Sequence, residues 1–183
     1  MTTDPLLKYR EQHKHRLNYM PWLYWSLKPK HREWAEAWQA EYQAYLMEME
    51  TIEIGKNCFI SPLAHIFAER GRKISIGDNT FIAADCTLHG PLEIGNEVAI
   101  NHHCILDGGR AGIKLHDQVR IAAYSHLYAF DHGMDLDRPI YQQAVTSKGI
   151  EIGRDVWLGA HVGIKDGVKI GHHAVVGMNS MVT

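Results

Sequence analysis

One of the 13 histidines in this chain stands apart from the rest. His132 lies in a long, mostly polar stretch, residues 128–151, flanked by Asp131 and Gly133. An imidazole titrates near neutrality, so in such a segment it can take a proton from a reacting group and hand it back. The simpler role, tying down its own loop, is the alternative. A metal site needs three ligands to converge, and His102, His126 and His161 are the set to consider, yet their spacing matches no ligand pattern. Cys58, Cys86 and Cys104 form no CxxC pair, so they read as compact hydrophobes rather than zinc ligands or nucleophiles.

The elements that hold these residues follow from a period of six. An aliphatic residue recurs at Ile54, Ile60 and Ile66, then from Ile76 in steps of six to Leu106. It returns at Leu115, Ile121 and Leu127, and runs again from Ile152 to Val182. Six fits neither a 3.6-residue helix nor a period-two strand, but it fits a chain that turns a corner every six residues. Eighteen such hexads predict an all-β solenoid, a parallel β-helix of about six triangular coils. Gly follows the aliphatic at 55, 77, 95, 153, 159, 171 and 177, as expected where the backbone bends tightly. Four places after it come small or β-branched residues, including all three cysteines. The breaks in register follow Ile66, Leu106 and Leu127, each the third hexad of a coil, so all three insertions should leave one corner. The longest of them carries His132, and long loops on regular scaffolds tend to carry function.

Residues 1–50 have no hexads and are expected to form a helical cap, with 51–183 as the solenoid. Trp34, Trp38, Tyr42, Tyr45, Leu46 and Met49 recur on one helical face, leaving Glu36, Gln39, Glu41, Gln43 and Glu48 for the other. Met20-Pro21-Trp22 and Lys28-Pro29 should interrupt the helices. Such a cap would cover the first coil's open backbone edge or pack on a neighbouring subunit. The segment KYREQHKHR is locally basic and reads as a solvated helix face. With 183 residues, 45% of them hydrophobic, and a net charge of −2, the chain suits one compact domain and no nucleic-acid partner. No apolar run of membrane-spanning length or signal-peptide core is present, so a cytoplasmic protein without membrane insertion is expected.

Tyr128-Ala-Phe-Asp-His132, then Arg138-Pro139, then IEIGRDVWLGAHVGIKDGVKIGHHAVVGMNSMVT resemble the hexapeptide-repeat acyltransferases, nearest their sugar O-acetyltransferase branch of maltose and galactoside acetyltransferases. The resemblance covers roughly residues 52–183. It implies a left-handed coil, a homotrimer with active sites between neighbouring prisms, and acetyl-coenzyme A as co-substrate without a metal. The acceptor it implies is a hydroxyl of a sugar or polysaccharide precursor. By the same resemblance His132 matches the catalytic base, while Asn101 and Asp107 match contacts to the acceptor. Trp157, Gly159, Ala160 and Thr183 match stretches bordering the coenzyme channel. The family usually continues beyond the Ser-x-Val-Thr run, so coenzyme contacts made by that tail are expected to be missing or to come from elsewhere.

Each residue also has a structural role to weigh. Asn101 suits a tight corner, Asp107 could begin an Asx turn, and Trp157 could cover a subunit seam. An oxyanion donor is expected from a backbone N–H near Ser125 or Gly159. Two other functions share the prism. One is a non-catalytic scaffold that binds a protein partner, and the other a zinc enzyme of the γ-carbonic-anhydrase type.

Overall fold

The computed structural model describes residues 5–183; residues 1–4 of the expected cap lie outside the described residues. The hexads wind into a parallel β-solenoid of six coils whose strands stack into three six-stranded faces. The first face contains Ile52–Ile54, Ile74–Ile76, Leu92–Ile94, Ile113–Leu115, Ile150–Ile152 and Lys169–Ile170. The second contains Phe59–Ile60, Phe81–Ile82, Ala99–Ile100, Arg120–Ile121, Trp157–Leu158 and Val175–Val176. The third contains His65–Phe67, Thr87–His89, Ile105–Asp107, His126–Tyr128, Gly163–Ile164 and Met181–Val182. The aliphatic column points inward, and Ile60, Ile82, Ile100, Ile121 and Leu158 are fully buried. Each such side chain contributes about 1.5–3 kcal/mol by leaving water. The cysteines are free and buried in the same core, and burial pushes the Cys58 thiol up.

The corners work differently from the expectation. The Gly after the aliphatic does not carry the left-handed bend. That bend falls two residues later, on side-chain-bearing positions such as Asn57, Asn79, Glu97, His103, Tyr124 and His161, with φ between 55 and 63°. Gly is required instead by the next coil: a Cβ on Gly95 would sit 2.6 Å from the Asp117 carboxylate and 2.8 Å from its backbone N. Left-handed φ costs an L-residue roughly 1–2 kcal/mol. Stacking of the same positions from coil to coil offsets that cost. Asn57 donates to Asn79 at 2.7 Å, Gln118 to Glu97 at 3.0 Å, and the Tyr124 ring stacks between His103 and His161 at 4.7 and 5.0 Å.

All three insertions leave the corner between the third and first faces, as the register breaks require. At the other end of the chain, helix α1 (Pro5–Tyr19), a 3-10 turn (Pro21–Ser26) and helix α2 (Pro29–Met49) precede the prism. Both breaks fall at the expected prolines. The apolar stripe of α2 is only partly used: Leu46 is buried, whereas Tyr45 and Met49 remain exposed. Gln39 and Gln43 do not face solvent as the helical pattern suggested. Gln39 is 1% exposed, donating to the Ile60 carbonyl at 3.1 Å and accepting its N–H at 2.8 Å. Gln43 donates to the Cys58 carbonyl at 2.9 Å. The reason is the first coil's unpaired backbone edge: buried N–H and C=O groups need partners, and one amide side chain serves both. Meanwhile Leu17, Tyr24 and Ala35 cover the outer side of the second face at Phe59, Phe81 and Ala99.

A hydrogen bond also ties α1 to the prism, with the Tyr19 hydroxyl donating to Asp85 at 2.9 Å. That bond holds the Tyr19 pKa above its usual value. Beside it His102 meets Tyr19 edge-on, and its Nδ1 is buried without a partner among the described residues. Burial first, and the adjacent His103 second, hold His102 below its ordinary pKa of 6.5.

Three outcomes follow for stability. Gly95→Ala should destabilise by about 1–3 kcal/mol through overpacking, while Gly171→Ala, with nothing within 4 Å of its added carbon, should be near neutral in chemical unfolding. Gln39→Leu strands two buried backbone groups and should cost about 2–6 kcal/mol, at ~1–3 kcal/mol per unsatisfied group. His102 binds a proton less tightly folded than unfolded, so its contribution is complete above about pH 6.5 and drains away as pH falls. The melting temperature of wild type should therefore drop more steeply on acidification than that of His102→Phe.

Candidate active site

Two groups of residues emerge, on opposite edges of the third face. The first lies toward the second face. The proline-bounded turn places Trp25 against Phe81, ring centroids 6.0 Å apart. Together with Trp22, Glu97 and Arg120 these residues line a cavity of about 560 Å³ that Asn101 also reaches. The Asn101 side-chain N–H donates to the Ile121 carbonyl at 2.9 Å, so half of its amide is committed to the corner and Oδ1 remains to accept from a ligand. Arg120 donates to the Glu97 carbonyl and pairs in register with Trp157, which is 54% exposed. Gly159 and Ala160 occupy the following corner. The Gly159 N–H donates to the Val176 carbonyl at 2.9 Å, so the coil ladder consumes it and it is no oxyanion donor. The Ser125 hydroxyl, though not its backbone N–H, is spent in the same ladder, donating to the Gly159 carbonyl at 2.9 Å and accepting the Val162 N–H at 3.2 Å.

The second group gathers at the corner from which the long segment leaves. There Asp131–His132 pairs antiparallel with Val145–Thr146, a short ribbon that projects His132 outward and exposed. Its base is fastened at three points. Ser147 Oγ accepts the N–H groups of Arg110 and Ala111 and donates to the Ala129 carbonyl. The Arg110 guanidinium donates to the Val145 carbonyl. Asp166 accepts the N–H groups of Lys148 and Gly149. Asp131 faces Lys165 at 3.3 Å, so its carboxylate is engaged outside the imidazole beside it. Asp107 stands at the same corner: Oδ1 accepts the Gly109 N–H at 3.0 Å in an Asx-type turn, and Oδ2 lies 3.4 Å from His89 Nδ1. Thr183 follows the last strand of the third face and is exposed.

Within the chain, then, Asn101, Trp157, Gly159 and Ala160 group at the second face and its corner, and His132, Asp107 and Thr183 group across the third face from them. The prism's rigidity holds the groups apart. His102 and His161 meet around Tyr124, while His126 lies near Tyr128 instead. Among the described residues no group of three His, Cys, Asp or Glu is arranged to hold a metal ion. A concavity of about 660 Å³ on the first face contains none of these candidates, and its Lys114 and Lys169 are paired with Glu93 and Glu151. Trp22, Trp25 and Arg120 escaped the sequence argument. The two tryptophans had one signal, the aromatic run between Pro21 and Pro29, whose destination depends on how the helices dock; Arg120 had none.

Comparison with known proteins bears on the same segments. Residues 149–183 match the family described as bacterial transferase hexapeptide (six repeats), and residues 73–101 match the hexapeptide repeat of succinyl-transferase. The chain is 30% identical to a dTDP-4-amino-4,6-dideoxy-D-glucose acyltransferase of Escherichia coli, over 59% of this chain and 62% of that protein. It is 29% identical to a galactoside O-acetyltransferase of Lactococcus lactis, over 79% of this chain and 60% of that protein. The chain thus spans about three-fifths of the length of these curated relatives. Among solved structures, a point mutant of the N-acyltransferase AntD from Bacillus cereus, in complex with dTDP and coenzyme A, superposes with a TM-score of 0.68. It is 31% identical, covering 77% of this chain and 78% of that one. With its six stacked coils, its unbroken aliphatic column and these matches, the chain belongs to the hexapeptide-repeat transferase family.

Proposed function

We propose that this protein transfers an acetyl group from acetyl-coenzyme A to a hydroxyl of a sugar or polysaccharide precursor, with residues 51–183 as the transferase unit and 1–50 as its helical cap. The observation that carries this reading is the fastened ribbon that presents His132 outside an otherwise rigid prism. A hydroxyl is a poor nucleophile at neutral pH, whereas a thioester is already activated. What remains for the protein is to hold the two together and to move one proton.

His132 takes the hydroxyl proton as oxygen attacks the thioester carbonyl, and returns it to sulfur as the C–S bond breaks. Asn101 accepts a hydrogen bond from the acceptor through Oδ1, in a cavity whose tryptophan faces suit a sugar ring. Asp107 provides a second, acidic contact, steadied by His89. Trp157, Gly159, Ala160 and Thr183 border the coenzyme. Because the two groups stand apart on one prism, the site is complete only where the ribbon of one protomer meets the second face of its neighbour, as a homotrimer allows. The named relatives support acyl transfer to sugars, and a coenzyme A complex is among the similar structures. Since those names cover both oxygen and nitrogen acceptors, the acceptor atom needs a direct test.

Thiol release from acetyl-coenzyme A should be followed with a panel of sugars and amino sugars. Hydroxyl sugars should be the better acceptors, and His132→Ala should lower kcat by ~10²–10⁴-fold. Asn101→Ala should raise the acceptor KM more than it lowers kcat. An unchanged rate in His132→Ala removes the base assignment, and turnover of amino sugars alone moves the reaction to nitrogen.

A further inference from the structure

We propose that the helical region before the prism docks on an anionic phospholipid surface through a basic cavity between α1 and the start of α2. Charge in this chain is segregated. Residues 1–32 contain seven Lys and Arg against two Asp and Glu, a net +5, which leaves −7 on the rest of a chain whose total is −2. Such asymmetry points to an anionic surface as partner.

Folding concentrates it further. His13 and Arg16 of α1 face Lys28, Lys30 and His31 across a cavity of about 400 Å³ that Leu17 and Leu23 also line. The His13 and His31 rings stand 4.6 Å apart. Among the described residues no carboxylate comes within 4.0 Å of Arg16, Lys28 or Lys30, whereas the lysines of the first face are paired with glutamates. Like charges are therefore held together around an opening where none of the three is ion-paired among the described residues. His13 registers the same field: burial first, then His31, Arg16 and Lys30, hold its pKa below 6.5.

Two features favour a lipid surface over a nucleic acid. The half-buried Leu23 and Leu27 form part of the cavity wall, which suits acyl chains and offers nothing to a phosphodiester backbone. On the same helix Leu6, Leu7 and Tyr9 are 74, 53 and 59% exposed, interleaved with Lys8 and Arg10. Apolar side chains beside cations are how a helix lies in a headgroup layer. No described helix is long and apolar enough to cross a membrane, so the contact is peripheral.

The test is independent of acyl transfer. Co-sedimentation of the full chain should be compared on vesicles of phosphatidylcholine alone and of phosphatidylcholine with phosphatidylglycerol. The variants are Arg16→Gln/Lys30→Gln and, as a charge-matched control on the first face, Lys114→Gln/Lys169→Gln. Binding should require phosphatidylglycerol. It should fall about 25-fold in the first variant, at roughly fivefold per cation near the surface, and little in the control. Circular dichroism should be unchanged in both. Equal binding to both vesicles, an equal loss in the control, displacement by millimolar inorganic phosphate, or tighter binding to duplex DNA would each overturn the proposal.

Discussion

Every feature of this molecule depends on the hydrogen bonds that each coil makes to the next. With two- or three-residue strands, no face is stable alone, and a coil is held only because the one above and the one below complete its backbone. That condition sets the coil spacing, excludes Cβ atoms where Gly55, Gly77 and Gly95 meet the following corner, and lines up residues about eighteen positions apart into columns. It also demands an end. Gln39 supplies it at the first coil by offering one donor and one acceptor where a further strand would have stood.

The columns explain why the left-handed corner positions are tolerated. An isolated left-handed Asn or His is a local cost, whereas the eleven such non-glycine residues among the described residues sit at equivalent corners, where they interact with one another through side-chain hydrogen bonds, ring faces and ion pairs. The same regularity separates chemistry from architecture. Groups in the columns, the Ser125 hydroxyl and the Gly159 backbone N–H among them, are spent on the ladder. Groups free to meet substrates are those on the excursions, the outer faces and the docked helices. The His132 ribbon is the clearest case, because Ser147, Arg110 and Asp166 fasten its base while leaving its imidazole exposed.

The helices serve three purposes at once. They close the first coil, cover the apolar part of the second face at Phe59, Phe81 and Ala99, and gather Arg16, Lys28 and Lys30 around one cavity. Their aromatic turn brings Trp22 and Trp25 beside Asn101, so the segment with no hexads shapes the cavity next to a residue that the hexads position.

The sequence alone determined the six coils, the inward columns, the single exit corner and the isolation of His132, because a six-residue period is a local rule repeated until it admits one geometry. It did not determine the destination of side chains whose partners come from another element. Gln39 looked like a solvent-facing residue on its helix and became the terminal rung of the solenoid. The corner glycines looked like bends and proved to be clearances for the neighbouring coil. Asn101 stood between an acceptor contact and a tight corner, and its side-chain N–H is drawn to the Ile121 carbonyl of the next coil. The basic stretch of α1 looked solvated until Lys28, Lys30 and His31 were set opposite it. In every case the deciding partner lies many residues away, so only tertiary packing, with its need to pair buried polar groups and to place charges in space, could choose.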